Sequence, residues 1–159
     1  MQFDEIRKII NKKYSEYIAI DDEKQVIMVL SEWNKVAEFL ILNKDLDFDT
    51  LLCITGYDNG DKLGIAYNFF SINKRHYIEI RIELDRKNAF INTISNIWKA
   101  ADWHEREAYD MMGILFDGHP DMKRILLPED WEGHPLRKDW KEPEFYNGMP
   151  VPKDKSYWE

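Results

Sequence analysis

Between residues 78 and 84 the chain alternates without a break, with Ile78, Ile80, Ile82 and Leu84 set against Glu79, Arg81 and Glu83. Successive side chains of a strand point to opposite faces, so this segment (about 76–84) is a strand with one face buried and the other wet. It demands a sheet with apolar cover on one side. Companion strands are expected at about 50–55 and 62–70, with Asn59-Gly60 between them as a tight-turn signal. Glu16–Ile20 and Gln25–Leu30 read as two more, around the polar turn Asp21-Asp22-Glu23-Lys24.

The cover is expected from helices. Phe3, Ile6, Ile9 and Ile10 recur at near-helical spacing over residues 2–13. Trp33, Val36, Ala37 and Leu40 mark a second helix, with Ser31 as its cap and an end near Asn43. Phe90, Ile91, Ile94, Ile97 and Trp98 predict a third, and 101–112 a fourth, closed by Gly113. Strands joined by tight turns, with helices between them, define an α+β class: an antiparallel or mixed sheet flanked by helices. Beyond Gly113 the character changes. Asp117-Gly118-His119-Pro120, Gly133-His134-Pro135, Pro143, Gly148, Pro150 and Pro152 are loop formers, and Ile125-Leu126-Leu127 is the one strand-like run. The chain therefore divides into an α+β domain over 1–113 and an extended, loop-rich C-terminal arm over 114–159. The arm still carries Trp131, Trp140, Phe145, Tyr146, Tyr157 and Trp158, residue types that gather where partners meet. It reads as a docking arm; the competing reading is that it wraps back over its own sheet.

Composition removes several function classes. Acidic residues outnumber basic ones by 30 to 22, with no basic block, which argues against nucleic acid. Cys53, alone in the chain, can form no internal disulfide and cannot supply the thiolates of an iron–sulfur cluster or a Cys-rich zinc site. In the apolar run Leu51-Leu52-Cys53-Ile54 it reads as a small core residue. No segment approaches the roughly 20 apolar residues that cross a bilayer. The N-terminus reads as neither a secretory signal nor a transit peptide, so membrane association is expected through other proteins.

Three clusters could carry chemistry. On the last helix, Asp102, Arg106 and Asp110 stand one turn apart, and Glu107 and Asp110 are surface neighbours. Carboxylates so placed could do acid–base work if burial raised one pKa, or could form a solvated ion-pair network. His104, His119 and His134 could ligate a metal, though their 15-residue spacings match no local template. Arg137-Lys138-Asp139 could grip an anion.

From Glu105 onward the sequence resembles the 30 kDa subunit family of respiratory complex I. The pattern is Glu105-Arg106-Glu107, two residues, Asp110-Met111-Met112, six residues, His119, three residues, Lys123, one residue, Ile125-Leu126. Its continuation from Arg124 to Asp139, with His134, Pro135, Arg137 and Lys138, is similar as well, and Tyr146 to Pro150 resembles bacterial members. The resemblance implies a structural subunit, with no redox centre, in the hydrophilic quinone module of a proton-translocating NADH:quinone oxidoreductase. Its partners would be the large (49 kDa-type, D) quinone-site subunit and the cluster-bearing (B) subunit. FMN, iron–sulfur clusters and quinone would reside on partner subunits, and the chain would lie peripherally on the cytoplasmic side of the inner (plasma) membrane. Glu105, Arg106, Glu107 and Asp110 would then form ion pairs in or near an interface, so that Arg106→Glu should block assembly. His119, His134, Arg137 and Lys138 would shape turns against the large subunit. The motif is shared with energy-converting membrane-bound hydrogenases and complexes fed by ferredoxin or a deazaflavin, which leaves the electron donor open. A standalone hydrolase using Glu105, Glu107 and Asp110, or a free-standing adaptor, would be the readings outside the family.

Overall fold

The computed structural model describes residues 2–15, 18–22, 25–28 and 33–151, with side chains described for 2–15 and 33–151. The capping role of Ser31, the outer ends of the first two expected strands and the aromatic pair near residue 158 lie outside the described residues. Five strands form the principal sheet: β1 (Ile18–Asp22), β2 (Gln25–Met28), β3 (Thr50–Asp58), β4 (Leu63–Ser71) and β5 (His76–Leu84), in the spatial order β1-β2-β5-β4-β3. β2 pairs with β5 in parallel and every other neighbour is antiparallel, so the sheet is mixed. A parallel pair needs a long crossover, which helix α2 (Trp33–Leu42) and the β3–β4 hairpin supply.

The alternation of β5 does what its pattern requires. Leu84, Ile82, Ile80 and Ile78 stand directly opposite Leu63, Ile65, Tyr67 and Phe69 of β4, and all eight are buried. Glu83, Arg81 and Glu79 face Gly64, Ala66 and Asn68 on the other side. Helix α1 (Phe3–Tyr14) brings Ile6 and Ile10 to the apolar face, and α2 brings Trp33, whose ring lies 4.4 Å from that of Tyr67. Each buried pair contributes both transferred apolar area and close packing, the largest favourable contributions to such a fold.

Three expectations are corrected here. Residues 90–98 are not a helix. Phe90–Asn92 form strand β6, paired in parallel with β7 (Leu115–Asp117), and Ile94–Trp98 make a single turn in which the Ile97 and Trp98 N–H groups share the Ile94 carbonyl. Ile91, Ile94 and Trp98 are buried at helical spacing, but they belong to two elements, so the spacing mimics a helix. Ile125-Leu126-Leu127 is not a strand; its backbone N–H groups meet a side chain instead of a neighbouring strand. Cys53 is half-buried and outside the core, on the edge strand just after a bulge between Leu51 and Cys53, and its neighbour Leu52 is exposed. β7, which lies past residue 113, pairs with β6, which lies before it. A small hairpin of β8 (Phe145–Tyr146) and β9 (Met149–Pro150) was not anticipated either.

Ile80→Ala should lower the unfolding free energy by roughly 2–5 kcal/mol through the cavity it leaves. The exposed Tyr77→Ala, on the opposite face of the same strand, should stay within about 0.5 kcal/mol. Urea titrations would compare the two, and equal losses would contradict the one-sided burial of β5.

Candidate functional site on the last helix

Among the described residues, the charged residues that are buried over both main chain and side chain belong to helix α3 (Ala101–Met112): Glu105, Arg106 and Asp110. Burying charge is costly unless every lone pair and proton finds a partner. The helix places Glu105 and Asp110 five residues apart, about 140° around its axis, so the two carboxylates look in different directions. They have different surroundings.

Asp110 is fully buried. Its Oδ2 accepts the N–H groups of Ile125, Leu126 and Leu127 at 3.1, 2.8 and 2.9 Å, and its Oδ1 accepts Arg124 Nη1 at 2.6 Å. Burial opposes its charge, but these four donors more than offset that and hold the carboxyl below the usual range. Arg124 reaches on, donating through Nη2 to the carbonyls of Trp131 (3.1 Å) and Gly133 (3.0 Å). His134 donates from Nδ1 to the Asp110 carbonyl at 2.9 Å. Its ring lies over Gly113, the left-handed helix cap (φ +71°), where an added Cβ would come within 2.5 Å of the imidazole. The half-buried Pro135 follows, and the Leu136 N–H closes onto the Met111 carbonyl at 3.1 Å.

Glu105 faces the other way. Oε1 accepts the Ile94 N–H at 2.8 Å and Oε2 the Thr93 hydroxyl at 2.5 Å, and no lysine or arginine among the described residues pairs with it. Burial therefore dominates and raises its pKa to about 7, with Asp102 nearby adding to the rise. His119 stands beside it. Its Nδ1 accepts the Asp121 N–H, so Nε2 carries the proton and points at the Asp102 carbonyl at 3.3 Å, 3.9 Å from Glu105 Oε2.

A second anchor was not foreseen. Arg86, just after β5, pairs with Asp58 Oδ1 at the end of β3 (2.5 Å) and with Asp139 (2.8 Å). The backbone N–H of Lys138 donates to Asp58 Oδ2 at 2.8 Å, and Arg137 donates to the Arg86 carbonyl at 2.9 Å. Arg137 and Lys138, expected as a basic pair able to grip an anion, are each bonded within the chain. Arg137 serves a carbonyl, and Lys138 contributes its backbone to an internal carboxylate. Arg106 likewise forms no ion pair with Asp102 or Asp110. It stacks on the exposed Trp103 (5.3 Å) and donates from Nε to the carbonyl of Lys123, whose ammonium pairs with Asp121 on the surface. The three histidines do not converge. His104 lines a cleft of about 200 Å³ with Cys53, Glu107 and Leu136, whereas His119 is bonded at the first turn of α3 and His134 at its last. Among the described residues no group of three His, Cys, Asp or Glu is placed to hold a metal. Glu107 is exposed and shares neither Glu105's pocket nor Asp110's, so the three carboxylates do not form one acid–base centre.

Asp110→Asn should cost roughly 3–5 kcal/mol, because it strands the half-buried Arg124 and turns an amide toward N–H donors. Glu107→Gln should cost under about 0.5 kcal/mol; similar losses in thermal unfolding would sink this assignment. Glu105 gives the opposite pH sign. With its folded pKa near 7 against 4.5 unfolded, its protonated form favours the fold, so its contribution is full below pH 4.5 and gone above pH 7. Wild type should lose on the order of 3 kcal/mol relative to Glu105→Gln between pH 4.5 and 7.5. Parallel pH profiles of the urea midpoint would refute it.

Against this geometry, comparison with known proteins is specific. Residues 27–146 match the family described as respiratory-chain NADH dehydrogenase, 30 Kd subunit. The C-type subunit of NADH-quinone oxidoreductase from Chloroherpeton thalassium is 40% identical over 132 residues, covering 79% of this chain and 55% of that protein. The same-named protein of Chlorobium phaeobacteroides is 38% identical over 132 residues, covering 78% and 80%. The chain thus spans about half the length of the first relative and four fifths of the second. Among solved structures, the trypsin-resistant fragment of Nqo5 superimposes with a TM-score of 0.61 at 21% identity, covering 73% of this chain and 98% of that one. A chain of the membrane-bound sulfane sulfur reductase, an archaeal respiratory membrane complex, superimposes at 0.68 and 24% identity, covering 89% and 86%. These two establish a shared fold. With its family match running from the end of β2 through β3, β4, β5, α3 and the bonded segment that follows, the chain belongs to the 30 Kd subunit family of respiratory-chain NADH dehydrogenase.

Proposed function

We propose that the chain is a structural subunit, without a redox centre of its own, in the quinone module of an NADH:quinone oxidoreductase. The observation that carries this reading is how the family signature is used. Asp110, Arg124, His134 and Arg137 are bonded within the chain itself, mostly to its backbone, which supports a shape-building role for the signature. One half-buried thiol cannot assemble an iron–sulfur cluster. FMN, clusters and quinone are accordingly assigned to partners, chiefly the large D-type quinone-site subunit and the cluster-bearing B-type subunit. Electrons pass from NADH to quinone through those partners, with ion translocation at the level of the complex. No helix among the described residues is long and apolar enough to cross a membrane, and attachment on the cytoplasmic face is assigned to the partners. Relatives that carry the name NADH-quinone oxidoreductase favour NADH as donor over the hydrogenase and ferredoxin-fed alternatives.

The outward-facing candidates for contact are Trp103, Leu126 and Leu136, each more than half exposed. Arg106, being buried and bonded to Lys123, would damage the chain itself when reversed, so Trp103 makes the cleaner probe. Trp103→Glu should leave the thermal midpoint of the isolated chain within a few degrees while reducing its recovery in the complex about tenfold or more. The direct test is a mild-detergent pull-down of the tagged chain from native membranes, with subunit identification and an NADH:quinone assay. Large and cluster-bearing subunits with NADH-driven activity support the proposal. Nickel and hydrogen evolution would move the chain to the hydrogenase branch, and recovery of the chain alone would refute a structural role.

A further inference from the structure

The arm beyond the second anchor builds a small aromatic unit. Asn147 and Gly148 both have positive φ (+49° and +78°), the conformation of a two-residue turn that matches strand twist, and they close the β8–β9 hairpin. The hairpin brings the Tyr146 ring to 5.2 Å from Trp131, and Trp131 lies 6.2 Å from Trp140. Trp140 sits over Gly133, where an added Cβ would fall 2.7 Å from its ring, and its Nε1 donates to the Glu132 carbonyl at 3.1 Å. Tyr146 donates to Asp130 Oδ1 at 3.2 Å. Between these parts is a cavity of about 230 Å³, lined by Asp130, Trp131, Glu132, Phe145 and Tyr146 among others.

The aromatic and acidic residues of the lining favour the same ligand chemistry. Aromatic faces carry negative electrostatic potential and attract cations. Two acidic residues, Asp130 and Glu132, are among the lining, and none of the lining residues is basic. The chain as a whole carries −8, so a basic partner is also steered toward it. An anion would be repelled, and an apolar group would draw nothing from the two acidic residues, which are exposed. Of the two basic side chains, the planar guanidinium both stacks on aromatic rings and bonds carboxylates through paired N–H groups, whereas an ammonium does so only as a point charge. We propose that this cavity seats an arginine side chain of a partner subunit. The inference rests on the structural-subunit reading and identifies where, and by what chemistry, the arm engages its neighbour.

The test uses the tagged chain in its native complex, with the photo-cross-linking residue p-benzoylphenylalanine placed at Phe145, which is exposed at the cavity wall. After irradiation, linked peptides are identified by mass spectrometry. The expected product joins Phe145's position to a partner peptide carrying an arginine within about two residues of the link, the reach of one side chain into a neighbouring pocket. Links confined to the chain itself, or to partner peptides without arginine, would overturn the proposal. A second arm removes the charges without adding bulk, in the double variant Asp130→Asn with Glu132→Gln. It should leave the complex at distinctly lower salt than wild type, with about tenfold weaker retention at physiological salt, while unaltered tryptophan fluorescence of the isolated chain shows that the aromatic unit stands. Retention equal to wild type across the salt series would overturn it. If the unmodified tagged chain were recovered without partners, the structural-subunit reading itself would fail and this inference with it; normal assembly with the wrong cross-link defeats the cavity alone.

Discussion

The carboxylate of Asp110 organises the C-terminal third of this protein. It is buried on a helix, yet its partners are backbone N–H groups of Ile125, Leu126 and Leu127 and the guanidinium of Arg124, none of them helical. A loop-rich segment cannot satisfy its own amides by a ladder, and amides buried without partners are expensive. Here one side chain supplies the missing acceptors. Arg124 then carries the constraint to the Trp131 and Gly133 carbonyls, and His134 returns it to the Asp110 carbonyl. Residues 124–134 are thereby held along α3 without a strand or helix of their own.

The Arg86–Asp58–Asp139 cluster fastens the same segment a second time, at the far end of the β3–β4 hairpin. Two anchors at different places on the body define the path of the arm better than one. Both use a largely buried carboxylate that accepts a backbone N–H and an arginine together, which fixes direction as well as distance. Exposed ion pairs such as Lys62–Glu83 have no such consequence.

Glu105 and Asp110 show how environment separates like groups. Both side chains are inaccessible to solvent and five residues apart, but Asp110 meets a cation and three N–H donors, while Glu105 has one N–H and one hydroxyl. Their pKa values move in opposite directions as a result. The tightly bound Asp110 serves as a fixed charge. Glu105 carries a proton affinity matched to neutral pH and stitches the turn at Thr93–Ile94 to the helix that follows it.

Periodicity in the sequence determined β5, its two-sided character, the hairpin through Asn59-Gly60, helices α1 and α2, the span of α3 and its end at Gly113, because each follows from contacts within a few residues. The density of signature residues from Glu105 to Asp139 likewise marked the segment that matters. What each of those residues touches was decided only by tertiary structure. Asp110 was legible as a helical charge, but not as the acceptor for residues 15 to 17 positions later. Arg106, its apparent partner one turn away, points elsewhere. The apolar spacing of Ile91, Ile94 and Trp98 read as a helix because burial alone was visible; the pairing of β6 with the more distant β7 made it a strand and a turn. Asp58 and Arg86 carried no local signal, since their meeting depends on two hairpin ends and a loop from residue 137 onward arriving at one point. Local sequence dictates where side chains point within an element. Which buried charge meets which backbone is set by long-range packing, where the cost of leaving either unpaired selects among paths that the sequence pattern leaves equal.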